Sequence, residues 1–135
     1  MDADGVFVRL PDPAVFREMD FAVRINEECE NDHPSRVISS TVYVNNTEGA
    51  GRILRLWAEE SIRQLNAEGR KEEFWDQIAL RNVLQLKNFV ASVKAMPLAY
   101  AKIFDHPKDA IEVNEPVIEH YQASRRFKDS INQSP

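Results

Sequence analysis

The sequence predicts a mixed α/β domain in which a mixed sheet is flanked by helices. Three observations carry this expectation. Val37–Val44 ("VISSTVYV") is dense in β-branched residues, as a strand requires. In Phe21–Ile25 ("FAVRI") the large apolar residues Phe21, Val23 and Ile25 alternate with Ala22 and Arg24, the period of a strand. From Ala50 the period changes: Ala50, Ile53, Leu54, Trp57, Ala58, Ile62 and Leu65 recur at helical spacing. A chain of 135 residues is one ordinary domain by length, and 43% hydrophobic content supports a packed core.

The elements follow in order. Gly5–Arg9 ("GVFVR") reads as a short strand ended by "PDP". Asp12 can cap a short helix, "PAVFREM", with Pro13 suited to its first turn. After the Phe21–Ile25 strand, residues 26–35 are polar and acidic and read as a loop. Thr47 or Asn46 can cap the long helix, Glu48 suits its positive end, and Gly69 marks where it stops. A second helix is expected from Lys71 to Leu86. "FVASVKAMP" reads as a strand closed by Pro97, "LAYAKIF" as extended, "DHPKDAIEVNE" as a loop and "PVIEHY" as a short strand. "QASRRFKDS" begins a helical or irregular tail.

Composition narrows the functions available. A formal net charge of −5 leaves no electrostatic footprint for nucleic acid or an anionic membrane. The single cysteine, Cys29, excludes an intramolecular disulfide and a cysteine-rich zinc site. No run of about 18 apolar residues exists, so no transmembrane helix is expected. The first residues are acidic where a signal peptide is basic and then apolar. The expected location is the cytoplasm, with any membrane reached through a partner.

Four stretches carry candidate chemistry. Asp2 and Asp4 precede an apolar run, and paired carboxylates suit Mn²⁺ or Mg²⁺, which also takes waters and substrate phosphates. Asp76 and Gln77 in "FWDQIALRN" can form directional hydrogen bonds with vicinal hydroxyls. His120 in "IEHY" can complete an Asp/Asp/His shell. Arg125, Arg126 and Lys128 form the one local cationic cluster, and guanidinium grips phosphate oxygens bidentately. "VISSTVYVNNT" adds small hydroxylated residues within a strong strand, where space for a close approach is needed. Each stretch also has an ordinary structural reading: a solvated terminus, a capping acid, a structural histidine, a solvated cationic face.

The order of these stretches resembles the catalytic half of metal-dependent glycosyltransferases of the GT-A fold. It looks most like the nucleotide-diphospho-sugar transferases that include the glycogenin-like and bacterial galactosyltransferase families. The resemblance runs from Asp2 to Lys128 and implies a partial GT-A-like sheet over residues 1–128, with a polar tail at 129–135. It implies that Asp2-Ala3-Asp4 ends a central strand and, with His120, holds Mn²⁺ (or Mg²⁺). It implies that Ser39, Ser40 and Asn45 line the donor sugar, with Ser40 or Thr41 standing where the family carries glycine. Asp76 and Gln77 would act on the donor sugar as catalytic residues, and Arg125, Arg126 and Lys128 would meet its phosphates. The implied donor is a nucleotide sugar, a UDP-sugar first, and the acceptor a saccharide or lipid-linked hydroxyl. The family's Rossmann-like nucleotide-binding half precedes its Asp-x-Asp; here that half is expected upstream or from another chain. Two rival expectations stand beside this one: a non-catalytic remnant or interaction module of the same fold, and a nucleotidyltransferase of related fold.

Overall fold

A computed structural model describes residues 1–2, 4–69, 76–86 and 90–121. The described residues form two small mixed three-stranded sheets and three α-helices, a mixed α/β fold. They fall into two compact units, Met1–Asp12 with Pro97–Pro135, and Pro13–Met96. Among the described residues, no helix is long and apolar enough to cross a membrane.

The first unit is built on a sheet whose middle strand comes late in the chain. β1 (Gly5–Phe7) pairs antiparallel with β6 (Ile118–His120), and β6 pairs parallel with β5 (Lys102–Ile103). The order is β1-β6-β5. β1 is shorter than "GVFVR" suggests. Val8 and Arg9 both send their N–H to the Val117 carbonyl, so the ladder closes there. The Arg9 guanidinium then pins the segment ahead of β6, donating to the carbonyls of Glu115 and Pro116. Lys102 and Glu119, cross-strand partners, form an ion pair at 3.5 Å.

Two expectations fail in this unit. "LAYAKIF" is not extended throughout: Leu98–Tyr100 is a 3-10 turn before β5. Pro97 sets up that turn, and the Tyr100 N–H closes onto its carbonyl. The expected loop at "DHPKDAIEVNE" contains α3 (Pro107–Glu112), with Pro107 in its first turn. Six residues cannot display the apolar period that reveals a helix. What holds this one is Asp109, wholly buried, whose carboxylate accepts the Ile103 N–H.

The second unit carries the larger core. β2 (Phe21–Ile25) lies between β3 (Val37–Val44), antiparallel to it, and β4 (Val93–Ala95), parallel to it. β2 and β3 have the bounds that their sequence pattern predicts. A 3-10 turn at Pro13–Phe16 stands where a short helix was expected, and Phe16 stacks on Tyr43 at 4.5 Å. α1 (Glu48–Leu65) begins at the N-cap Thr47, whose hydroxyl accepts the Ala50 N–H. It ends at Asn66, before Gly69. The second expected helix appears as α2 (Asp76–Leu84), which stops short of Leu86; residues 71–75 lie outside the described residues. Phe21, Val23, Val37, Ile53 and Leu80 form the core cluster.

The β2–β3 ladder has one discontinuity. Val23 pairs with Val42, but Arg24 pairs with Ile38, so Ser39, Ser40 and Thr41 stand outside the one-to-one register. Val37 and Val42 are an odd number of residues apart and would face opposite ways on a regular strand. The three extra residues restore both to the core face, as a bulge does. The small hydroxylated triplet thus occupies the irregularity.

Asp20, just before β2, ties three elements together. Its carboxylate accepts from the Thr47 hydroxyl at 2.6 Å and the Ser92 N–H at 2.7 Å. Its carbonyl accepts from the Asn45 N–H. A Cβ on Gly49 would come within 2.5 Å of the same carboxylate, which explains a glycine in the first turn of α1.

Two outcomes are expected. Leu80→Ala removes a fully buried side chain and should cost about 2–5 kcal/mol in urea unfolding. The Arg63 guanidinium, with Asn82 and Gln64, holds the Glu60 carboxyl down to about 2 from an ordinary 4.5. A depressed folded value stabilises the fold above the ordinary value and loses that contribution as pH falls towards the folded one. The urea midpoint of the wild type should therefore drop between pH 4.5 and 2 more steeply than that of Glu60→Gln.

Candidate functional site

The first unit gathers the three side chains proposed as metal ligands. His120 is the last residue of β6 and is wholly buried. Gly5 is its cross-strand partner, so the residues just before β1 are delivered beside the imidazole. The Gly5 N–H donates to the Asp2 carbonyl at 3.0 Å, which folds Asp2 back over the start of β1. The Tyr121 N–H donates to the Asp4 carbonyl at 3.3 Å and extends the pairing one step past the strand. His120 Nδ1 lies 3.5 Å from Asp4 Oδ1. One ligand atom from each of Asp2, Asp4 and His120 lies within 4.8 Å of the other two.

This donor set fits a hard divalent ion. Metal–oxygen bonds of about 2.1 Å put neighbouring ligand atoms about 3 Å apart and opposite ones about 4.2 Å apart. The His120–Asp4 separation falls inside that range, and the widest allowed by the cluster needs a contraction of a few tenths of an ångström. Two carboxylates and an imidazole match the preference of Mn²⁺, and two carboxylates that of Mg²⁺.

The local geometry differs from the expected one in one respect. Asp2 and Asp4 lie ahead of β1, and β1 is an edge of its sheet rather than a central strand. The carboxylates converge through the hydrogen bond from Gly5 to Asp2, not through alternation along a strand.

Gly5 makes the arrangement sterically possible. A Cβ there would lie 2.7 Å from His120 Cε1 and 2.8 Å from Met1 Cγ. The methionine chain can move aside; the buried ring would have to shift out of its place. In the sequence Gly5 marks only the start of a strand; its role depends on a register that pairs it with residue 120.

The second unit holds the remaining described candidates. Ser39 and Asp76 are brought together: the serine hydroxyl donates to Asp76 Oδ1 at 3.3 Å. The Trp57 indole N–H donates to the Asp76 carbonyl at 2.9 Å and fixes the start of α2 on α1. Trp57 was expected only as an apolar position of α1. Gln77 spends its amide N–H on the Pro34 carbonyl. Ser40 is buried, and its hydroxyl has no hydrogen-bond partner among the described residues. Asn45 lies past the other end of β3. Its amide donates to the Met19 carbonyl and accepts from the Asn46 N–H, so its side chain is engaged by backbone. Arg125, Arg126 and Lys128 lie outside the described residues.

Compared with known proteins, the chain matches no family model, and no curated protein or solved structure is significantly similar to it.

Gly5→Ala should displace the His120 ring while leaving the second unit intact. The expected result is a loss of Mn²⁺ affinity of about tenfold or more, as for other supports of a ligand, read by calorimetric titration. Unfolding of the second unit's core should be unchanged.

Proposed function

We propose that the first unit binds a divalent cation, Mn²⁺ before Mg²⁺, through Asp2, Asp4 and His120. We propose further that this is the metal end of a GT-A-like transferase acting on a nucleoside diphosphate sugar. The observation that carries the first statement is the convergence of three ligating side chains, two of them 116 residues apart in sequence, around a wholly buried imidazole. The second statement is supported by the order of motifs along the chain, from Asp-x-Asp through Asp76-Gln77 to His120.

A cation held there would supply Lewis-acid neutralisation of the charge that develops on a leaving diphosphate. The chain's own part is to fix the donors. Asp2 and Asp4 offer anionic oxygens, His120 offers a ring nitrogen held by burial, and Gly5 leaves room for the ring. In the second unit, the Asp76 carboxylate and Ser39 hydroxyl form a pair suited to vicinal hydroxyls of a sugar, exchanging their mutual bond for bonds to the ligand. The donor is read as a UDP-sugar and the acceptor as a saccharide or lipid-linked hydroxyl.

Titration calorimetry with Mn²⁺, then with UDP in its presence, tests both statements. The expected result is Mn²⁺ binding by the wild type and Mn²⁺-dependent UDP binding, both abolished in Asp4→Ala and in His120→Ala. Wild type that takes up no Mn²⁺ overturns the first statement. Mn²⁺ uptake without UDP binding, with the nucleotide-binding half supplied, overturns the second and leaves a cation-binding module.

A further inference from the structure

We propose that Asp109 is a positioning residue for the His120 ligand, acting through the edge of β5. This rests on the reading of His120 as a metal ligand. Asp109 is a wholly buried carboxylate, outside the proposed donor set, and burial of a charge has to be compensated by hydrogen bonds. One of its oxygens, Oδ2, accepts the Ile103 N–H at 2.7 Å. The other, Oδ1, lies 3.3 Å from His106 Nδ1, without hydrogen-bond geometry.

The Ile103 N–H is a specific group in the sheet. Ile103 is the cross-strand partner of His120, and the next residue, Phe104, donates its N–H to the His120 carbonyl at 2.9 Å. Successive N–H groups on a strand point to opposite sides. The Ile103 N–H therefore points away from β6, towards the sheet's outer edge, where no described strand lies. Asp109 supplies the acceptor that a further strand would supply there. Its carboxylate satisfies the outer side of Ile103 while the His120 carbonyl holds the inner side of Phe104. Ile103 at the end of β5 and Phe104 just past it are gripped from opposite sides, and the His120 backbone is held by what they hold. On its other side His120 faces Gly5, where a Cβ would not fit. The His120 backbone is thus held between Gly5 across one strand boundary and the Asp109-anchored edge across the other.

The test uses the full chain, with free Mn²⁺ counted by electron paramagnetic resonance during titration. Wild type, Asp109→Asn and Asp109→Ala are compared under conditions where circular dichroism reports each folded. Asparagine keeps an oxygen acceptor for the Ile103 N–H; alanine does not. Asp109→Ala is expected to lose about tenfold or more in Mn²⁺ affinity, the usual cost of removing a group that orients a ligand. Asp109→Asn is expected to restore most of it. A folded Asp109→Ala with wild-type affinity overturns the proposal, as does an Asp109→Asn as weak as the alanine variant. If alanine does not fold, amide exchange in the wild type decides. Coupling between the site and this hydrogen bond is reciprocal, so Mg²⁺ binding must slow exchange at Ile103. An Ile103 amide indifferent to Mg²⁺ overturns the proposal. Wild type that binds neither ion overturns the metal reading itself, whereas wild-type binding with an indifferent Asp109→Ala overturns only the role of Asp109.

Discussion

The antiparallel pairing of β1 with β6 is the constraint on which the first unit depends. It joins residues 5–7 to residues 118–120, and everything proposed for the cation set follows from that register. Gly5 opposite His120 fixes which residues flank the imidazole. Shift the pairing by one position and the side chains of β1 change faces, so that a Cβ-bearing residue meets the ring. The closure is entropically expensive, because the chain between the two strands must be gathered before the pairing forms. Reinforcement from outside the ladder is consistent with that cost: Arg9 grips Glu115 and Pro116, and Lys102 pairs with Glu119.

The second unit solves a different problem. Its three strands and two helices surround one apolar cluster, and its polar fixings lie around that cluster. Asp20 binds the start of β2 to the N-terminus of α1 and to the approach of β4. The Thr47 hydroxyl and the Ser92 N–H hold its carboxyl below the ordinary value. Glu60 does the same between α1 and α2, accepting from Arg63, Gln64 and Asn82. These acids sit where they can collect several donors at once, and that places them in structural rather than chemical roles.

What was legible in the sequence was whatever had a period or a cap. β2 and β3 announce themselves by alternation and β-branching, and α1 by its apolar spacing behind Thr47. The 3-10 turn at Leu98–Tyr100 and the six-residue α3 are too short to carry a period, and a proline at the start of each also fits a loop. The candidate ligands Asp2, Asp4 and His120 were legible by type and order. Gly5 and Asp109 were not, because a glycine's purpose and a carboxylate's partner are properties of pairing, and pairing between distant strands leaves no local trace. The register jump at Ser39–Thr41 lies between these cases. The small residues were visible as anomalies in a strand, and the jump explains them.

The interleaving of the two units along the chain also sets an order of events during synthesis. Asp2 and Asp4 leave the ribosome more than a hundred residues ahead of His120. The whole of Pro13–Met96 is made in between. Since domains tend to fold as they emerge, the second unit can gather its core before β6 exists. The cation set is then completed last, by the arrival of a three-residue strand. A divalent ion bound at Asp2, Asp4 and His120 would accordingly reward a chain made as far as β6 and give no help to a shorter one.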